Sequence, residues 1–294
     1  MKKIQFILLG LLLSGVVQAQ ENLTINDINF RQASYNTGFT IDYNSLLDAT
    51  FTSSVGKGEQ NTGRFHFMSY GNFHKLHTMF GGKINSKSYG LYKNTTAELL
   101  LGKGLKLSSS HQLNVGLSFG MHFTSINNSE LNEFVNMEDP VVEDGAAQYR
   151  FIIGYGLAYT FKEHTKVGFS SMPSIVKSTG GYYPMYIFNT SHQFLISDSY
   201  SLEPEVLLYG SNVSRLSMET NIKAGYDNKA WVKLGVRTTQ TLVVGAIFQY
   251  EYINVGYMYN YNWGSYNYIN PGVHNINLGV HMPTKTRRRP NVRK

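Results

Sequence analysis

Four groups of residues have types and spacings that could do chemistry. Gly116-Leu117-Ser118-Phe119-Gly120 has the G-x-S-x-G spacing of a nucleophile elbow. Such a serine acts only where a sharp strand-to-helix turn exposes its hydroxyl and a histidine and an acid follow in the fold. His74 and His77 lie three apart, and His66 and His111 could join them in space. A zinc site would need a defined ligand spacing such as H-E-x-x-H, which does not occur. Residues 126–147 carry Glu130, Glu133, Glu138, Asp139, Glu143 and Asp144 and no basic residue. Residues 285–294 carry Lys285, Arg287, Arg288, Arg289, Arg293 and Lys294 and no acid. No glycine-rich loop opens a helix, so phosphate or dinucleotide binding has no support. No cofactor or metal is expected, and no catalytic residue.

The elements around these groups decide between the readings. From Leu113 the chain alternates with period two, which puts successive side chains on opposite faces of a sheet. One face reads Leu113, Val115, Leu117, Phe119, Met121, Phe123, and the other Asn114, Gly116, Ser118, Gly120, His122, Thr124. Ser118 therefore sits inside a strand, and its small neighbours read as lumen-facing rather than catalytic. The same rhythm returns at Phe151, Ile153, Tyr155, Leu157, Tyr159, Phe161, and again at Leu242, Val244, Ala246, Phe248, Tyr250. Glu203, Glu205, Arg215, Glu219, Lys223, Lys233, Arg237 and Glu251 fall opposite the apolar faces of their strands. Their signs alternate between neighbouring strands, which permits cross-strand pairing.

Sandwiches also alternate, but these strands run ~9–13 residues, the length that crosses a bilayer at a tilt. Turn signals place strands at 39–51, 64–72, 77–88, 94–107, 111–125, 148–161, 165–172, 182–196, 200–210, 214–225, 229–238, 241–250, 253–262 and 274–282. That is an all-β, antiparallel, up-and-down transmembrane β-barrel of about 14 strands, an even number as in bacterial single-chain barrels. An even count puts both termini on one side, expected to be the periplasm. Short turns then gather on that side and the long connections, chiefly 126–147, on the other, as in outer-membrane barrels.

The chain has three parts. Residues 1–19 read as a signal peptide: Lys2 and Lys3, an apolar run and the small-residue site Val17-Gln18-Ala19. Residues 20–282 read as the barrel, and 283–294 as a basic periplasmic tail. Eight of the 26 basic residues lie in the leader and the tail, so the barrel is near neutral despite the overall +7. That argues against a nucleic-acid surface. No cysteine is present, which removes disulfides and thiolate chemistry. With 21 Tyr, 17 Phe, 28 Gly and only 7 Pro, the composition suits aromatic girdles at two membrane interfaces.

From about residue 182 onward the sequence resembles the PorP/SprF family of type IX secretion membrane proteins. The resemblance rests on His192-Gln193-Phe194, Ser201-Leu202-Glu203-Pro204 and the run Tyr226-Asp227-Asn228-Lys229-Ala230-Trp231-Val232-Lys233-Leu234-Gly235-Val236-Arg237. It continues with Gly256-Tyr257-Met258-Tyr259-Asn260-Tyr261 and His274-Asn275-Ile276. Earlier, 113–120 and 166–170 fit the same style. Asn260 and Asn275 stand where the family usually has Asp and Glu. Its opening Asn-Pro-Ala stretch is missing, echoed only by Phe30-Arg31-Gln32 and Asn36. The resemblance implies a Bacteroidetes outer-membrane protein that supports secretion or surface attachment of adhesins, and in some species gliding, by accepting their C-terminal domains. The expected partners are the bilayer, the type IX machinery and those domains. The six acids of 126–147 would meet the client, and Lys285, Arg287, Arg288 and Arg289 the periplasmic machinery. The alternative is a porin-like or hydrophobic-solute channel of the same architecture.

Overall fold

The computed structural model describes residues 32–42, 46–54, 63–73, 76–89, 92–126, 148–175, 182–211, 216–227, 229–264 and 272–281. Two short 3-10 turns, Gln32–Ser34 and Thr37–Asp42, come first. The strands follow: β1 Leu46–Ser54, β2 Gly63–Phe73, β3 Thr78–Tyr89, β4 Tyr92–Lys106, β5 His111–Ile126, β6 Gln148–Phe161, β7 Thr165–Ile175 and β8 Tyr182–His192. Then come β9 Phe194–Leu195, β10 Tyr200–Gly210, β11 Ser217–Tyr226, β12 Ala230–Arg237, β13 Thr241–Tyr250, β14 Ile253–Asn262 and β15 Gly272–His281. β9 continues β8 in the same register against β10. The ladder breaks opposite Pro204, which has no N–H to give it. The barrel wall thus has fourteen strands.

Each strand pairs antiparallel with its sequence neighbour, and β15 closes on β1 from Leu46↔His281 to Ser54↔Val273. The pairings return to β1 with a stagger of roughly fourteen residues, the kind of shear that tilts the strands of a closed barrel by ~35–45°. Closure leaves no unpaired edge, the condition for β-structure in lipid.

Outward side chains sort by depth. Leu99, Leu117, Ile153, Leu234 and Leu278 lie near mid-strand and exposed. Phe73, Phe194, Tyr200, Tyr226 and Tyr250 are exposed at one rim; Phe123, Tyr149, Phe151 and Trp263 at the other. An aliphatic belt between two aromatic girdles is the outer surface of a membrane barrel. No described helix is long and apolar enough to cross a membrane; the strands do so.

Among the described residues, the rim that carries Leu46 and His281 has only connections of two to four residues. One is a tight turn at Lys162 and Glu163, both with positive φ, closed by His164 N–H donating to the Phe161 carbonyl. Two positive φ values in the centre of a hairpin turn match the right-handed twist of the strands. The opposite rim carries the long gap between Ile126 and Gln148.

The strand expected at 39–51 begins instead at Leu46 and ends at Ser54. Residues 37–42 are a 3-10 turn inside the barrel. Thr37 through Asp42 mix polar and apolar residues as a strand would, but their backbone groups find partners locally and on the inner wall, so they do not join the sheet.

Candidate functional site

The interior of the barrel is polar by sequence and holds the chain's own segment Gln32–Asp42 as a plug. Gln32 through Thr40 are buried. Gln32 Nε2 donates to Ser191 Oγ at 3.1 Å and to Glu205 Oε1 at 3.0 Å. Tyr35 Oη donates to the same carboxylate oxygen at 3.4 Å. Asn36 Nδ2 reaches across to β6 and β7, donating to the carbonyls of Leu157 at 3.0 Å and Phe169 at 3.3 Å. Its Oδ1 accepts the Gly38 N–H at 2.9 Å, which shapes the turn. On the far side Asn72 Nδ2 donates to the Thr40 carbonyl at 3.1 Å.

Apolar contacts complete the seat. Ala33 packs with Leu46, Met68, Tyr70, Met79 and Leu100 on the β1–β4 wall. Tyr35 packs with Met185, Ile187, Leu207 and Tyr209 on the β8–β10 wall. Burying one such side chain is worth ~1.5–3 kcal/mol. Two inward glycines allow the close approach. A Cβ on Gly116 would lie 2.5 Å from the Thr37 backbone, and one on Gly168 2.5 Å from the Phe39 ring. The segment therefore bridges the β1–β4 and β8–β10 walls across the lumen.

Glu205 links this plug to a charge network on β10–β12. Lys223 Nζ lies 3.1 Å from Glu205 Oε2 and 3.6 Å from Glu203 Oε1. One strand further, Glu219 takes Lys233 Nζ at 3.1 Å and the Arg237 guanidinium. All of these but Glu203 are buried. Lys223 and Lys233 face each other directly in the ladder, an arrangement that destabilises unless carboxylates intervene; Glu205 and Glu219 do so. On the opposite wall Lys83 pairs with Glu98 at 3.1 Å.

The sequence's candidate groups are dispersed. Ser118 is buried in mid-β5 on the lumen face, with no strand-to-helix turn to expose it. His122, on the same face, is held by Thr96 at 3.0 Å and Thr124 at 3.1 Å. His66 is buried in mid-β2, whereas His77 and His111 lie at the rim that carries the termini, so these three do not converge; His74 lies outside the described residues. Among the described residues no group of three or more metal-ligating side chains occurs. Glu130, Glu133, Glu138, Asp139, Glu143 and Asp144, and Lys285, Arg287, Arg288 and Arg289, lie outside the described residues. Their attachment points are fixed: the acidic stretch leaves from Ile126 and returns at Gln148 on one rim, while the basic stretch follows His281 at the other.

The lumen-facing charges expected from the alternation are found at Glu205, Glu219, Lys223, Lys233 and Arg237. Glu251 departs from that pattern: it is exposed in the β13–β14 turn with φ 48°, because the hairpin reverses there. Arg215 lies outside the described residues. Asn260 and Asn275 are buried on the lumen face, and Asn275 Oδ1 accepts a hydrogen bond from Thr52 at 2.7 Å. The plug was the feature that the sequence pattern did not announce. Its signal was the cluster of small residues on the inner faces of β5, β6 and β7, where a backbone must come close.

The family described as type IX secretion system membrane protein PorP/SprF matches residues 57–280. No curated protein matches the chain. Among solved structures, the CymD monoaromatic hydrocarbon channel has a TM-score of 0.51 at 9% identity, covering 88% of this chain and 94% of its own. The Pseudomonas putida toluene transporter TodX gives 0.44 at 10% identity, with 84% and 93% covered. Omp33 of Acinetobacter baumannii gives 0.45 at 8% identity, with 82% and 98% covered. The likeness to CymD is one of fold.

Proposed function

We propose, since the chain belongs to the PorP/SprF family of type IX secretion system membrane proteins, that it supports secretion or surface attachment of client adhesins by binding them. Its place is the outer membrane, and its family and fold are those of a secretion or transport membrane protein. The finer reading is that recognition happens at the two rims. The observation that supports it is the segment lodged in the lumen: Gln32, Tyr35 and Asn36 bond to Glu205 and to the β6 and β7 carbonyls, so the rims are the surfaces offered to other proteins.

In this reading residues 1–19 direct export and are removed, and both termini lie in the periplasm. The acidic stretch 126–147 then faces outward and meets a client's C-terminal domain through Glu130, Glu133, Glu138, Asp139, Glu143 and Asp144. The tail meets an acidic face of the periplasmic machinery through Lys285, Arg287, Arg288 and Arg289. Opposite charges on opposite rims let two partners be told apart by long-range attraction.

The test is affinity capture of tagged protein from detergent-solubilised outer membranes, read by mass spectrometry. The expected recovery is type IX components together with a large adhesin. Removing residues 285–294 is expected to lower recovery of the machinery several-fold while the adhesin remains. Recovery of the barrel alone would overturn the binding role and direct attention to conductance.

A further inference from the structure

The outer wall of the barrel is not smooth. Between β2 and β6 it is dented by a cavity of about 580 Å³, inside the ~300–1,000 Å³ range of ligand sites. The cause is in the register. On the outward face Gly82 of β3 sits between Ser69 and Leu99, and Ala97 of β4 between Ile84 and Met121. Gly82 and Ala97 are thus diagonal neighbours with almost no side chain between them. Phe67, Ile84, Leu99 and Phe119 stand around them as a rim. Lys83 and Glu98 turn the other way and close the floor from the lumen side with their 3.1 Å ion pair.

The position of the dent identifies its occupant. It runs from the belt of exposed aliphatic side chains at mid-strand, where Leu99 is 58% exposed, to Phe123 and Phe151 at the aromatic girdle of one rim. Apart from Ser69 and the Lys83–Glu98 pair, which turns to the lumen, the lining is apolar, so the part of a ligand held in the dent is hydrocarbon and its polar end lies at the girdle. We propose that the dent between β2 and β6 is a binding site for one phospholipid acyl chain, held more firmly than the lipid that merely surrounds the barrel. The chain enters sideways from the bilayer and replaces the side-chain volume absent at positions 82 and 97. Contact with five or more large apolar side chains gives it dispersion that a flat wall does not offer.

The test is native mass spectrometry of the full-length barrel purified in detergent with palmitoyl-oleoyl phosphatidylethanolamine added as the probe. The wild type is expected to retain one lipid through stepwise delipidation. Gly82→Phe/Ala97→Leu, which fills the dent from the lipid side, is expected to lose retention at least about fivefold. Ala246→Phe, on the outer face of β13, should leave it unchanged. Should the double variant fail to migrate as a folded barrel before heating, Ala97→Leu alone serves. Equal retention by wild type and filled variant, or none by the wild type, overturns the proposal. So does a photo-cross-linker at Leu99 that captures protein instead of lipid in intact membranes.

Discussion

Glu219 shows how a single carboxylate can decide whether this interior is stable. It is fully buried between Lys233 at 3.1 Å and the Arg237 guanidinium. A buried charge is tolerated only when paired and hydrogen-bonded. Replacing Glu219 by Gln keeps the shape and leaves two buried cations without their shared counterion. Breaking a buried pair in this way costs ~3–5 kcal/mol. We therefore expect Glu219→Gln to lower the urea midpoint of the refolded barrel markedly, and Glu219→Gln/Lys233→Met to recover part of the loss. Equal midpoints for wild type and Glu219→Gln would mean that water reaches the network. The positions of these charges were legible in the sequence, because Glu219, Lys223, Lys233 and Arg237 each oppose an apolar face. Which carboxylate serves which cation was not, since that depends on the register of β10, β11 and β12.

The plug and the strands differ in how far local pattern specifies them. Strand β5 was readable to within a residue because one force, an apolar face toward lipid, acts on every second position over sixteen residues. The segment from Gln32 to Asp42 has no period, because its partners come from many strands: Glu205, Ser191, the β6 and β7 carbonyls and Asn72. Phe39, Thr40 and Ile41 mimic the start of a strand, so the sequence pattern places the first strand seven residues before its start at Leu46. Two predictions belong at this scale. Gly168→Leu should expel the segment, since a Cβ there already meets the Phe39 ring at 2.5 Å. The barrel would still run as a folded species before heating, while Gln32 through Asp42 would become sensitive to added protease. Deleting residues 32–42 should raise single-channel conductance in planar bilayers from near zero by tenfold or more. An unchanged trace would show that other residues close the lumen, and the plug would then be a brace rather than a barrier.

For the whole molecule, fourteen strands and closure of β15 on β1 put Leu46 and His281 on the same rim. Neither feature says which side of the membrane that rim faces. The connections do bear on it. The rim at the termini has only turns of two to four residues among those described, and the other carries the gap from Ile126 to Gln148. Outer-membrane barrels keep short turns in the periplasm and long loops outside. The absence of cysteine makes the question measurable, because one introduced thiol is the only one to label. Lys93→Cys, exposed at the start of β4, marks the long-loop rim; Ser109→Cys, exposed in the β4–β5 turn, marks the other. In intact cells a membrane-impermeant maleimide is expected to label position 93 fully. Position 109 should be labelled, by at least about tenfold more, only after the outer membrane is permeabilised. The reverse pattern would put the basic tail at the cell surface and the acidic stretch in the periplasm. The two rims would then exchange partners: the client would have to be basic-rim binding and the machinery would meet the acids. Because the rims differ in charge, the labelling result fixes which kind of partner surface each side of the membrane must supply.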